Sequence, residues 1–289
     1  TELVADMNSG AVRTLVIVDS NPAYSAPGEL NFKSALNKVD CTIHLGAQRD
    51  ETGDFCTYQL STTHSLESWS DACAVDGTAT IIQPVITPFY DVRTVHQVMA
   101  MLSGQGDIAA EVPIKETWRP IFGGSFEQSW KQALHDGFTG NAGAVVEVKP
   151  TTSATAPPSQ VAGDLDVVFR PGPGTWDGRF SNVAWLQELP KPLTTLTWDN
   201  VVTISPALAR REAIVNGDIV EVTIRNRTVS GPAWIMPGQA GETVALELGY
   251  GRTRAGRVGD HIGYDAYRVR PADQPWLAKG SLRKTGDRV

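Results

Sequence analysis

Chemistry needs polar side chains that converge, and this sequence offers few such groupings. Its three cysteines, Cys41, Cys56 and Cys73, lie far apart. Only Cys41 and His44 stand at a ligand-like spacing, whereas zinc and iron–sulfur sites draw about four soft ligands from short paired spacings. The cysteines therefore read as core or incidental thiols, and no metal ligand is assigned. His44, His64, His96, His135 and His261 form no His-Glu-x-x-His pattern. Gly123-Gly124-Ser125 misses the nucleophile elbow, and no catalytic residue is assigned. Gly104, Gly106 and Ala109 match a dinucleotide fingerprint by letter. A helical pattern precedes them instead of a strand, so the match reads as a loop. Ser20-Asn21-Pro22 is different. It closes a predicted strand, at the end where α/β sheets take ligands. Asn followed by Pro is also an ordinary turn, and both readings stay open.

The elements that would position these groups fall into two halves. Residues 13–19 and 41–45 are short β-branched runs and predict strands. Residues 30–39, 95–102 and 125–135 carry apolar side chains at helical spacing and predict helices, with Ser125 as N-cap of the last. Residues 50–60 predict a short helix and a turn. This alternation predicts an α/β unit with a parallel sheet, extended by a short strand at 144–148. Residues 149–160 are rich in Pro, Ser, Thr and Ala without apolar period, and read as a linker. Beyond it, strands are predicted at 165–170, 201–204, 218–225, 228–236 and 243–248. Ser205 and Pro206 open the one helix among them, 206–212. Asn216-Gly217-Asp218 reads as a structural turn. The fold class is α/β followed by mainly β, a barrel or sandwich with an embedded helix. Trp69, Trp118, Trp130, Trp185, Trp198 and Trp234 fall at element edges and read mostly as packing.

The chain has 289 residues, 41% apolar and 20% charged, with a net charge of −7. It is long enough for two domains and apolar enough for a packed core. Mild acidity argues against nucleic acid as the main partner. No apolar run reaches the length of a membrane span. Thr1 to Met7 lacks the basic and apolar regions of a signal peptide. Leu3, Val4 and Met7 at helical spacing predict a chain entered in mid-helix, as if cut from a longer one.

Several runs resemble the molybdopterin oxidoreductase superfamily. Leu15 to Pro22 looks like its strand followed by an Asn-Pro turn. Leu66-Glu67, then Asp76-Gly77-Thr78 and Gln83-Pro84, resemble its Leu-Glu segment with the turn and Gln that follow. Trp185 to Leu193, Thr197-Trp198-Asp199-Asn200, Ser205-Pro206, Asn216 to Asp218 and Tyr264 to Tyr267 resemble the molybdopterin-like subunit of alternative complex III, a bacterial quinol-oxidising complex.

The resemblance implies a partial parallel-sheet three-layer α/β (Rossmann-like) domain over 1–150, a linker over 151–163 and a double-psi β-barrel over 164–289. It implies a scaffold for quinol-linked iron–sulfur electron transfer, inert alone, within a larger oxidoreductase subunit. Active relatives hold a molybdopterin guanine dinucleotide, which would approach Asn21, Pro22, Asp199 and Asn200. The iron–sulfur segment of such enzymes is missing here and Ala74 to Thr78 departs from their Asn-rich turn, so those four residues read as vestigial and this portion as cofactor-free. A genuine dinucleotide-binding portion is the alternative. Implied partners are the other domains of the parent chain and iron–sulfur, membrane quinol-binding and cytochrome subunits, at the periplasmic face of the bacterial cytoplasmic membrane. Without the resemblance, an independent binding module or hydrolase stays open.

Overall fold

In the computed structural model of the chain, residues 1–140 and 165–289 are described. The strand expected at 144–148 and the linker expected at 149–160 or 151–163 lie outside them.

The first lobe opens with α1 (Glu2–Ser9), β1 (Thr14–Val18), α2 (Pro22–Ser25), α3 (Phe32–Leu36), β2 (Cys41–Gly46) and β3 (Tyr58–Ser61). The three strands pair in parallel in the order β1-β2-β3, with Thr14 opposite Cys41 and Ile43 opposite Tyr58. Helices α1 and α3 cover the sheet through Val4, Met7, Ile17, Phe32, Ala35, Leu36 and Val39. The helix expected over 30–39 is shorter, because Asn31 adopts φ 48° and breaks it. Residues 50–60 correct a second expectation. A single 3-10 turn, Gly53–Phe55, leads into β3, whose side chains are mostly exposed, its apolar Tyr58 and Leu60 included.

A satellite follows. Strands β4 (Ser70–Cys73) and β5 (Ala79–Ile82) form an antiparallel hairpin, and α4 (Val95–Leu102), α5 (Val112–Phe122) and α6 (Phe126–Asp136) complete it. Its core is aromatic: Trp118, Phe126 and Trp130 are buried with Ile81 and Ile114. Thr94 and Gln97 cap α4 reciprocally. The cap expected of Ser125 does not form. Its hydroxyl donates to the Phe122 carbonyl at 3.1 Å, because a 3-10 turn precedes α6.

The second lobe is a closed six-strand barrel. It contains β6 (Leu165–Pro171), α7 (Ala184–Glu188), β7 (Val202–Ile204), α8 (Pro206–Arg211), β8 (Asp218–Ile224), β9 (Arg227–Ile235), β10 (Thr243–Leu248) and β11 (Leu277–Arg288). The order round the barrel is β10-β6-β11-β8-β9-β7. Pairs β6–β10 and β7–β9 are parallel and the rest antiparallel. Strand β8 alternates strictly, with Val220, Val222 and Ile224 inward. Phe169, Ile204, Leu246 and Leu248 meet them in one continuous core. The Ser205 hydroxyl caps α8 by accepting from the Leu208 amide at 3.0 Å, as its position predicts. Trp185 departs from the packing expectation: it is 85% exposed on α7.

Candidate functional site

The C-terminal ends of β1 and β2 face the barrel across a cleft of about 250 Å³. At the end of β1 the chain turns through Asp19, at φ 45°, into Ser20 and Asn21. Pro22 then starts α2, where its missing N–H costs nothing. Asn21 precedes that helix, yet its side chain does not cap it. The Asn21 Oδ1 accepts from the Thr52 amide (3.1 Å) and hydroxyl (2.7 Å), and its Nδ2 donates to Glu51 (2.7 Å). The Thr52 hydroxyl accepts in turn from the Ala23 amide. The turn after β1 is thus joined to the loop after β2.

Glu51 carries this junction across to the barrel. Its carboxylate is 3% exposed and meets Arg252, 7% exposed, at 2.6 Å. Its Oε1 also accepts from the Thr253 and Arg254 amides at 2.8 and 2.9 Å. Burial alone would push the Glu51 pKa up. The Arg252 hydrogen bonds and charge, with the Asn21 bond, outweigh it and bring the value to about 2. Arg252 donates onward to the Gly178 carbonyl at 2.7 Å, and its guanidinium lies 5.3 Å from the Tyr24 ring centroid. Gly178, at φ 106°, lets both side chains approach: a Cβ there would lie 2.6 Å from the Tyr24 ring. The Tyr24 hydroxyl donates to the Tyr250 carbonyl at 2.7 Å, and burial raises its pKa. A buried, fully hydrogen-bonded ion pair and a tyrosine clamp the lobes here, and the more exposed pairs Arg225–Glu29 and Arg254–Asp54 add to them.

The remaining lining is acidic. Asp19, Asp50 and Asp177 contribute three carboxylates against Arg179 and Arg252. Both guanidiniums are already paired, Arg179 with Asp177 at 2.8 Å and Arg252 with Glu51. Burial raises the Asp50 pKa. His44 is buried on β2, with Nδ1 2.5 Å from Gln59 and Nε2 3.0 Å from the Ser20 carbonyl. Its imidazole holds the floor of the cleft in place.

Of the four residues singled out in the sequence, only Asn21 lines this cleft. Pro22 lies just behind it. Asp199 and Asn200 belong to the barrel. Asn200 is fully buried, donating to the Glu247 and Tyr264 carbonyls and accepting from the Tyr264 amide at 2.9 Å. Asp199 accepts from the Asn200 amide, and burial raises its pKa. Lys191, also buried, bridges the Asp199 carbonyl and the Glu247 carboxylate. The amide groups of Asn21 and Asn200 are thus committed to internal bonds. With paired cations and an acidic lining, these residues do not fit the pyrophosphate of a dinucleotide. No group of three or more His, Cys, Asp or Glu gathers at metal-binding distance among the described residues. No described helix is long and apolar enough to cross a membrane.

Glu51, Arg252 and Tyr24 went unmarked in the sequence. The partners Glu51 and Arg252 are 201 residues apart, and no local pattern announces such a pair.

No protein-family model and no curated protein matches the chain. Among solved structures it is similar to acetylene hydratase from Pelobacter acetylenicus, with a TM-score of 0.72 and 13% identity. The match covers 98% of this chain and 46% of that one, so the chain spans somewhat under half the length of that structure. The likeness is distant and is one of fold alone.

Proposed function

We propose that the chain is scaffold from a respiratory molybdopterin-family oxidoreductase subunit, of the kind found in alternative complex III. It holds its lobes in place for quinol-linked iron–sulfur electron transfer carried by other parts of the assembly, at the periplasmic face of the cytoplasmic membrane. It performs no chemistry alone and binds no dinucleotide cofactor. The barrel is of the double-psi kind on this reading, and its two parallel strand pairs support that.

The observation that carries the reading is the Glu51–Arg252 clamp. It occupies the interlobe junction where a doubly wound sheet offers a ligand its strand ends. A pyrophosphate there would meet three carboxylates and no unpaired guanidinium. Removing Arg252 from Glu51 to receive it would leave a buried carboxylate uncompensated, at about 3–5 kcal/mol.

The test is isolation of the tagged protein from its native host in mild detergent. The reading expects iron–sulfur, quinol-binding and haem-bearing subunits to accompany it, and no stoichiometric molybdenum on the chain itself. Isolation as a lone, metal-free protein, or with molybdenum at one per chain, contradicts it.

A further inference from the structure

A second cleft, of about 770 Å³, opens between residues 22–34 of the first lobe and β9 with the 263–268 turn of the barrel. Three cationic side chains line it: Lys33 from α3, Arg227 from β9 and Arg268 from the turn. None of them forms a salt bridge among the described residues, whereas neighbouring Arg225 is held by Glu29 and Asp273. Lys33 sits 5.3 Å from the Phe55 ring centroid and Arg227 makes one 3.3 Å bond to Asn31. Thr228 and Ser230 line the same wall, the Thr228 hydroxyl sharing a 2.8 Å bond with that of Thr223. One carboxylate, Asp265, lies among them. It accepts from the Tyr267 amide at 2.9 Å. In a chain of net charge −7, three cations around one carboxylate are a local excess set by the fold and not by composition. A concave surface of one sign concentrates potential, and guanidinium forks with hydroxyls suit a tetrahedral oxyanion.

We propose that this cleft binds a phosphate-type oxyanion through Lys33, Arg227 and Arg268. The site is separate from the Glu51–Arg252 clamp and does not depend on the function proposed above. Its affinity is tuned by Asp265. Burial raises the pKa of that carboxyl to about 7, against the lowering charges of Arg268 on its own turn and Lys33 on α3, while Glu51 from the loop after β2 raises it further. Arg227 on β9 and the Tyr24 phenol on α2 line the same cleft. As pH rises through about 7 the carboxyl loses its proton, adds a negative charge to the cleft and weakens the site.

The test is isothermal titration of the whole chain with inorganic phosphate, sulfate and glycerol phosphate in a chloride buffer of fixed ionic strength. Saturable one-to-one binding is expected. Arg227→Gln and Arg268→Gln each weaken it about tenfold, the loss of one charge-assisted hydrogen bond. Sulfate does not titrate in this range, so it isolates Asp265: wild-type sulfate binding weakens from pH 6 to 8, and Asp265→Asn binds more tightly at pH 8 with a flat profile. Tighter glycerol phosphate than inorganic phosphate identifies a phosphomonoester as the ligand; the reverse order identifies the free ion. Circular dichroism confirms that the variants are folded. Absence of saturable binding at millimolar phosphate, or affinity unchanged in both arginine variants, overturns the proposal.

Discussion

The two lobes solve the same packing problem to different degrees. The barrel closes on itself, so all six strands are paired and none presents an open edge. Its core runs from Leu165 to Ala278 and takes in Tyr24 of the first lobe. Among the described residues the parallel sheet of the first lobe has three strands, with β1 and β3 outermost. Its core is the small set from Val4 to Val39. A parallel sheet is stable when buried on both faces, and this one takes support from the barrel through the buried Glu51–Arg252 pair and Tyr24, with Glu29 and Asp54 adding exposed pairs. The barrel is the anchor and the sheet its dependant. The strand ends, where the sequence places Asn21, also hold the Glu51–Arg252 pair that joins the two lobes.

The largest way to break the comparison is Glu51→Ala. It strands the buried Arg252 guanidinium and removes the acceptor of the Thr253 and Arg254 amides, at a cost of about 3–5 kcal/mol. Amide exchange in β1–β3 should quicken while β8 and β10 stay protected; uniform quickening would mean the lobes unfold as one unit. Leu246→Ala should cost about 2–5 kcal/mol by opening a cavity in the barrel core. Because the sheet leans on the barrel, this variant should quicken exchange in both lobes, as chemical denaturation followed by exchange will read.

Acid offers a milder cut at the same joint. The folded Glu51 pKa lies near 2 and its ordinary value is 4.5. Its contribution is therefore complete above about 4.5 and is lost as pH falls through about 2. A melting-temperature profile should show a fall over that window that is shallower in Glu51→Gln, Asp177 and Asp218 supplying part of what remains. The smallest effect belongs to Trp185→Ser. The indole is 85% exposed, and stability should change by less than about 0.5 kcal/mol.

The legible parts of the sequence were those whose burial follows a local period. Strand β8 alternates residue by residue, α4 repeats at helical spacing, and Ser205-Pro206 carries its own capping chemistry. The parallel sheet was legible from the alternation of runs, apart from β3, where Tyr58-Gln59-Leu60-Ser61 is too short for its alternation to register and its apolar residues are exposed. Strand β11 was missed for a related reason. Leu277 to Arg288 is rich in charge and glycine, and is a strand because β6 and β8 supply its partners. The hairpin of β4 and β5 is four residues a side, too short for a period to register. At the site, the Asn-Pro turn was legible as a strand end, but what Asn21 does there depends on Glu51, Thr52 and Arg252, which only the folded chain brings together.

The central claim is that the junction at the ends of β1 and β2 is a clamp and not a nucleotide site. Its most direct test is the melting temperature of the whole chain titrated with a guanosine nucleotide. The titration is run in saturating phosphate, so that the cleft between α3 and β9 is already supplied. The clamp predicts no nucleotide-dependent rise at millimolar ligand. A saturable rise that Asn21→Ala abolishes would contradict it and establish a dinucleotide-binding lobe.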